Sequence, residues 1–156
     1  NGVNIKSAIN DHLKKHHHPC IAHTLNLSVC ETLRKNTKLS DTLKKCRAIV
    51  GHFKHSVTAV EKLTQMQQQL NVGVLKVKQD VATRWNSTYK MFQRLVDKKV
   101  PLVSVMSSLP KARMMLNVDE WLIVEDSIQI LTILDLMTTT LSGEKCITLS
   151  SIIPLV

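Results

Sequence analysis

The sequence predicts a mostly helical fold with a few short β-strands, and three observations carry that expectation. Glycine and proline number only four each in 156 residues, too few for a chain of many hairpins and turns. Apolar residues recur at helical spacing over long stretches, most regularly between Leu39 and Val60. Two brief apolar runs, at 20–23 and 74–77, read instead as short strands.

The elements follow in order. Asn4 is placed to cap a short helix carrying Ile5, Ala8, Ile9 and Leu13, which His16, His17, His18 and Pro19 end, since the residue before proline avoids helical geometry. After the strand expected at 20–23, a helix is predicted from about Thr24 to Lys35, with Leu25, Val29 and Leu33 on one face. Leu39, Leu43, Cys46, Val50, Phe53, Val57 and Val60 then alternate spacings of four and three. That heptad-like seam, shifting afterwards to Leu63, Met66 and Leu70, predicts one long helix over 39–70. Gly73 breaks it, and 74–77 forms a strand with one wet side. A further helix is capped by Asn86 or Ser87 and carries Tyr89, Phe92, Leu95 and Val96 until Pro101 ends or kinks it. The last long helix runs from about Val118 to Leu141, where Ser142 and Gly143 supply a C-cap signal, and another begins near Thr148.

Bulk composition narrows the function classes. Hydrophobic residues make up 44%, which excludes disorder as the whole story, and aromatics only 3%, so the core is expected from Leu, Val, Ile and Met. Lysine and arginine number 21 against 12 carboxylates, a formal charge of +9. Such an excess points to a polyanionic partner, because neutralising phosphates releases counterions. Cys20, Cys30, Cys46 and Cys146 show no paired spacing, which fits a reducing compartment. No apolar run approaches a membrane span and no signal peptide opens the chain. It starts without methionine and stops in an apolar stretch, so it reads as an internal piece of something longer.

Few residue groups suggest chemistry. His12, His16, His17, His18, Cys20 and His23 are crowded, yet a structural zinc needs a second ligand pair that does not follow. No nucleophile turn or phosphate-cradling glycine loop is present. The acids Asp11, Asp80, Glu120, Glu125, Asp126 and Asp135 offer no obvious metal-holding pair and read as solvated acids and caps. On the predicted long helix, Lys44, Arg47, Lys54, His55 and Lys62 share an arc of about 100° away from the seam. This stripe is either a solvated face or a track for a phosphate backbone. Arg84 and Trp85, in the polar run before a helix, suggest a base-stacking ring beside a phosphate-binding cation. The alternative is that Trp85 simply anchors the helix that follows.

Three segments together resemble one family. Residues 20–27 (Cys20, Ile21, Ala22, His23, Thr24, Leu25, Asn26, Leu27) are similar to the C-x-x-H-x-L-(N/Q)-L motif of hAT-superfamily transposases and of the BED-finger proteins derived from them. Residues 80–89, centred on Thr83, Arg84, Trp85, Asn86 and Ser87, resemble the family's T-R-W-N-S-T-Y motif, although Val81-Ala82 stand where relatives often carry a proline before the threonine. Leu141, Ser142, Gly143 and Glu144, with Thr148, Leu149, Ser150 and Pro154, resemble a third stretch.

The resemblance implies a partial RNase H-like α/β core running into an all-helical insertion domain. Residues 1–84 would close the first segment of that core, and 85–156 would begin the insertion. It also implies a D, D, E carboxylate triad using magnesium or manganese in a complete transposase. The second aspartate would directly precede Asn1 and the glutamate would lie beyond Val156, so no catalytic residue is expected here. Cys20 and His23 map near the family's active site, and Arg84 and Trp85 map where the tryptophan stabilises a flipped base or hairpin intermediate. Any zinc would belong to a BED finger outside the chain. The expectation is a nuclear, DNA-binding fragment that is not itself an enzyme, contacting DNA through Arg84, Trp85, Lys44, Arg47, Lys54 and Lys62. Homo-oligomers would form through regions elsewhere, with no membrane and no small-molecule substrate. The competing expectation is a domesticated regulatory protein in which this region is a helical scaffold for self-association or partner binding.

Overall fold

A computed structural model describes residues 3–14, 20–109 and 114–141. Among them the chain forms α1 (Val3–Ser7), α2 (Ile21–Lys35), α3 (Thr37–His55), α4 (Val57–Gln69), α5 (Trp85–Asp97), α6 (Lys99–Ser107) and α7 (Val118–Leu141). A single π-type turn, Ala8–His12, continues α1.

Local sequence explains most boundaries. Asn36 starts α3, its side-chain oxygen accepting the Leu39 N–H at 3.1 Å. A reciprocal capping box starts α7: Asn117 accepts from the Glu120 N–H at 2.8 Å, and Glu120 accepts from the Asn117 N–H at 2.9 Å. Pro101 lies in the first turn of α6, where its missing N–H costs no helical hydrogen bond. The expected last helix starts at Val118 and runs through Leu141, the last described residue. The C-cap at Ser142 and Gly143 and the helix from Thr148 lie outside the described residues.

The single helix expected over 39–70 is two helices. Ser56 leaves helical geometry with φ −122° and ψ 105°, and its hydroxyl caps α4 by accepting the Ala59 N–H at 3.2 Å. The seam is buried through Leu43, Cys46, Val50 and Phe53, but Val57 is exposed and Ala59 and Leu63 take over inside. A serine that interrupts the ladder and caps the next turn lets the apolar stripe change phase between helices.

No strand forms among the described residues, which corrects the expected strands and the RNase H-like α/β core with them. Residues 21–23, read as part of a strand, are the first turn of α2. Residues 72–80 do run without helix, as an irregular strap, but no strand forms there or beside them among the described residues. Side chains from neighbouring helices replace the missing ladder. Gln67 accepts the Leu75 N–H at 3.0 Å, Arg94 donates to the Lys76 carbonyl at 2.8 Å, and Lys98 donates to the Gly73 carbonyl at 2.7 Å. Backbone groups satisfied in this way need no sheet.

α3 packs against α2, α4 and α7, while α5 lies chiefly on α7 and also meets α2 and α6. One core joins them, drawing on residues either side of position 84: Val29 and Leu33 from α2, Phe53 from α3, Trp85 and Phe92 from α5, Val124 and Leu131 from α7. The few aromatics are concentrated there. Trp85, Phe53 and Phe92 are the three largest fully buried side chains, so the centre is not purely aliphatic.

Candidate nucleic-acid interface

The 80–89 segment is a junction of hydrogen bonds that ties four helices together. Its first residue, Asp80, accepts from both Nε and Nη2 of Arg47 on α3, at 3.0 and 2.7 Å. Thr88 on α5 donates to the same carboxylate at 2.9 Å. The Asp80 side chain is 2% exposed. Burial alone would raise its pKa, but the hydrogen bonds from Arg47 and Thr88 outweigh that and hold the carboxyl below the usual carboxylate range. Ser87 folds the intervening turn, its hydroxyl bonding to the Val81 N–H at 2.7 Å and to the carbonyls of Val81 and Arg84.

Asn26 joins the two motif-bearing segments, 20–27 and 80–89. From α2, its amide donates to the Thr83 carbonyl at 3.0 Å, and its oxygen accepts the Trp85 N–H at 3.4 Å. On the opposite side of α5, Asn86 donates to Asp135 of α7 at 2.9 Å, and the Tyr89 hydroxyl meets that of Thr132 at 2.9 Å. Thus α2, α3, α5 and α7 all converge on ten consecutive residues.

Arg84 and Trp85 point to opposite environments. Arg84 is exposed at the N-cap of α5, whereas Trp85 is 1% exposed, its ring 6.4 Å from that of Tyr89. The indole Nε1 is buried without a hydrogen-bond partner among the described residues. A base can reach this ring only if α5 lifts from its neighbours.

The basic stripe is divided in the same manner. Lys44 is exposed and pairs with Asp41 at 2.8 Å, a contact worth little in water. Arg47 is committed to Asp80. Lys54 and Lys62 are exposed, now on different helices, and neither they nor Arg84 form an ion pair among the described residues. Cys20 and His23 are exposed at the start of α2. His16, His17 and His18 lie outside the described residues.

No group of three His, Cys, Asp or Glu side chains among the described residues is arranged to hold a metal ion. Three of the candidate carboxylates are committed elsewhere: Glu120 to Lys45, Glu125 to Lys99, Asp135 to Asn86. The described residues do not fit the metal that the family's catalytic triad requires. Sequence reasoning missed Asn26, Asp80, Asn86 and Thr88 as organising residues. Their only signal was polar side chains inside the two motifs.

Comparisons with known proteins give the family. The family described as the ZBED1 RNase-like helical domain matches residues 18–130. Zinc finger BED domain-containing protein 4 of Homo sapiens is 27% identical over 137 residues, covering 88% of this chain and 12% of that protein. The putative AC9 transposase of Zea mays is 32% identical over 102 residues, covering 65% of this chain and 12% of that protein. Zinc finger BED domain-containing protein 6 of Homo sapiens is 30% identical over 81 residues, or 52% of this chain and 8% of that protein. The chain thus spans 12% or less of the length of these relatives. No solved structure matches it significantly. Among the described residues, no helix is long and apolar enough to cross a membrane.

Proposed function

This chain belongs to the ZBED1 RNase-like helical domain family, and from that premise we propose that it is a DNA-contacting helical module of an hAT-type transposase or of a domesticated BED-finger derivative, working in the nucleus. The observation that carries the reading is a separation of charge. α7 holds five carboxylates and no lysine or arginine, so all 21 cationic residues lie elsewhere in the chain. Arg84, Lys54 and Lys62 are exposed on that basic remainder. Cations placed so meet phosphates at little cost in desolvation and gain from counterion release.

The division of labour follows from burial. Arg84, Lys44, Lys54 and Lys62 make the DNA contacts. Trp85 and the Arg47–Asp80 pair hold the scaffold that presents them. In a longer protein, strand cleavage would rest on carboxylates outside this chain, and oligomerisation on other regions. Binding of labelled duplex DNA, followed by fluorescence anisotropy across a salt series, tests this. The logarithm of the affinity falls linearly with that of salt, and Arg84→Gln and Lys62→Gln each reduce the slope by roughly 0.9. Absence of binding at about 50 mM salt, with helicity intact by circular dichroism, overturns the reading.

A second reading, a scaffold for self-association or partner binding, is favoured by one observation. The outer face of α7 exposes Leu122, Ile130, Ile133 and Leu136. Sedimentation velocity separates the two: a concentration-dependent dimer without DNA binding selects the scaffold.

A further inference from the structure

The strap at 72–80 and the two helices beneath it enclose a groove of about 580 Å³, with Val50, Phe53 and Lys54 from α3, Leu63 and Gln67 from α4, and the strap's residues 74–79 as its walls. Three lysines line it, Lys54, Lys76 and Lys78, and no aspartate or glutamate does. All three are exposed, and none forms an ion pair among the described residues. Seven other cations among the described residues already have partners, whereas Lys62 and Arg84 are, like these three, exposed and without an ion pair. Lys35, Lys44, Lys45, Arg47 and Lys99 each pair with a carboxylate, while Arg94 and Lys98 hold the strap's own carbonyls.

We propose that this groove is a binding site for the sugar-phosphate backbone of duplex DNA, with Lys54, Lys76 and Lys78 as its phosphate ligands. The proposal rests on the DNA reading above and deepens it, since Lys76 and Lys78 stand outside both motifs and outside the helical stripe. Charge selects the ligand class: three cations around one concavity without a compensating acid concentrate positive potential there. The form of the polyanion follows from what the groove lacks. Phe53, the groove's one aromatic, is fully buried, so there is no stacking platform of the kind that holds single strands. Thr64 adds a hydroxyl on the same walls, suited to sugar and phosphate oxygens, while the Gln79 amide donates to Asp80 at 3.1 Å.

The strap is fit for this role because its shape does not depend on the ligand. Lys98, Gln67 and Arg94 fasten it at three points, Gly73, Leu75 and Lys76. Lys76 is itself held by its carbonyl, and Lys78, two residues later, lines the same groove. The backbone that carries Lys76 is thus fastened before DNA arrives and need not be ordered by it.

The test compares two triple variants of the 156-residue chain by anisotropy with a labelled duplex across a salt series. Lys54→Gln/Lys76→Gln/Lys78→Gln removes the groove's charge. Lys6→Gln/Lys38→Gln/Lys90→Gln removes equal charge from exposed lysines outside it. Circular dichroism and urea midpoints confirm that both fold like wild type. The expected result is a salt slope reduced by about 2.7 in the groove variant, near 0.9 for each contact, and little changed in the control. Equal slopes for the two variants, with wild type binding normally, overturn the groove while leaving DNA binding standing. Failure of wild type to bind at low salt overturns the DNA reading, and the groove with it.

Discussion

α5 and α7 lie against each other, yet they solve the burial problem in opposite ways. α5 keeps Trp85, Tyr89, Met91, Phe92 and Leu95 inside and leaves Lys90 and Asp97 in water. α7 carries apolar residues on its outer face as well as its inner one: it buries Trp121, Val124 and Leu131 and also exposes Ile130 and Ile133, each 63%, and Leu136, 69%. The lesson is where the stability of this module resides. Its energy is concentrated at the motif-bearing start of α5, where α2, α3 and α7 converge, while the far side of α7 contributes little to this fold.

Substitution can break or sharpen that contrast, and the largest effect is expected at Trp85. Trp85→Ala removes the largest buried side chain and should cost about 3–5 kcal/mol, read from urea denaturation. Leu136→Ala on the outer face of α7 should stay within about 0.5 kcal/mol. Equal losses would erase the distinction between the two helices.

Next comes the pair that holds the segment preceding α5. Arg47→Ala leaves Asp80 buried without its cation and should cost about 2 kcal/mol. The pH dependence carries a definite sign. Because the folded carboxyl titrates below its unfolded value, its contribution is present above the unfolded pKa, near 3.9, and is lost as pH falls through the folded value. The stability gap between wild type and Asp80→Asn should therefore be widest at neutral pH and shrink below about pH 4. A gap that stays constant down to pH 2 would show that Asp80 is not held ionised.

A smaller, kinetic effect concerns Cys46. Burial, then the nearby Glu120 and Asp80 carboxylates, push its thiol up to about 12. Near pH 8 a thiol reagent should label exposed Cys20 quickly and reach Cys46 only at the rate of unfolding. The smallest change in stability is expected from Ile133→Glu on α7, which should leave the urea midpoint nearly unchanged and lower any concentration-dependent association seen by sedimentation.

The contrast between the helices was only partly legible in the sequence. α7 could be placed from Val118 through Leu141 because a long apolar period is an unambiguous signal. Its exposed outer face could not be seen, since periodicity does not say how many sides are covered. The seam from Leu39 to Phe53 was readable, but Ser56 gave no warning, serine being tolerated inside helices and at caps alike. The strand expected at 20–23 failed because four apolar residues fit a helical turn as well as a strand. The one at 74–77 failed because a strand needs a partner, and here Gln67, Arg94 and Lys98 take that place.

For the site, the sequence singled out Arg84 and Trp85 together, and the fold separates them, Arg84 to solvent and Trp85 to the core. The bonds that do so, Arg47 to Asp80 across 33 residues and Asn26 to Thr83 across 57, are long-range partnerships that no local pattern announces.

The most direct measurement follows Trp85 while DNA binds. With Trp121→Phe leaving one tryptophan, acrylamide quenching and emission of Trp85 are recorded through a duplex titration whose binding is read independently by anisotropy. The expected result is weak quenching throughout and an emission spectrum that does not change as anisotropy rises, because the ring stays in the core while the basic face meets the phosphates. Emission that falls in step with the binding curve, as stacking on a base would cause, would contradict it and put Trp85 at the DNA.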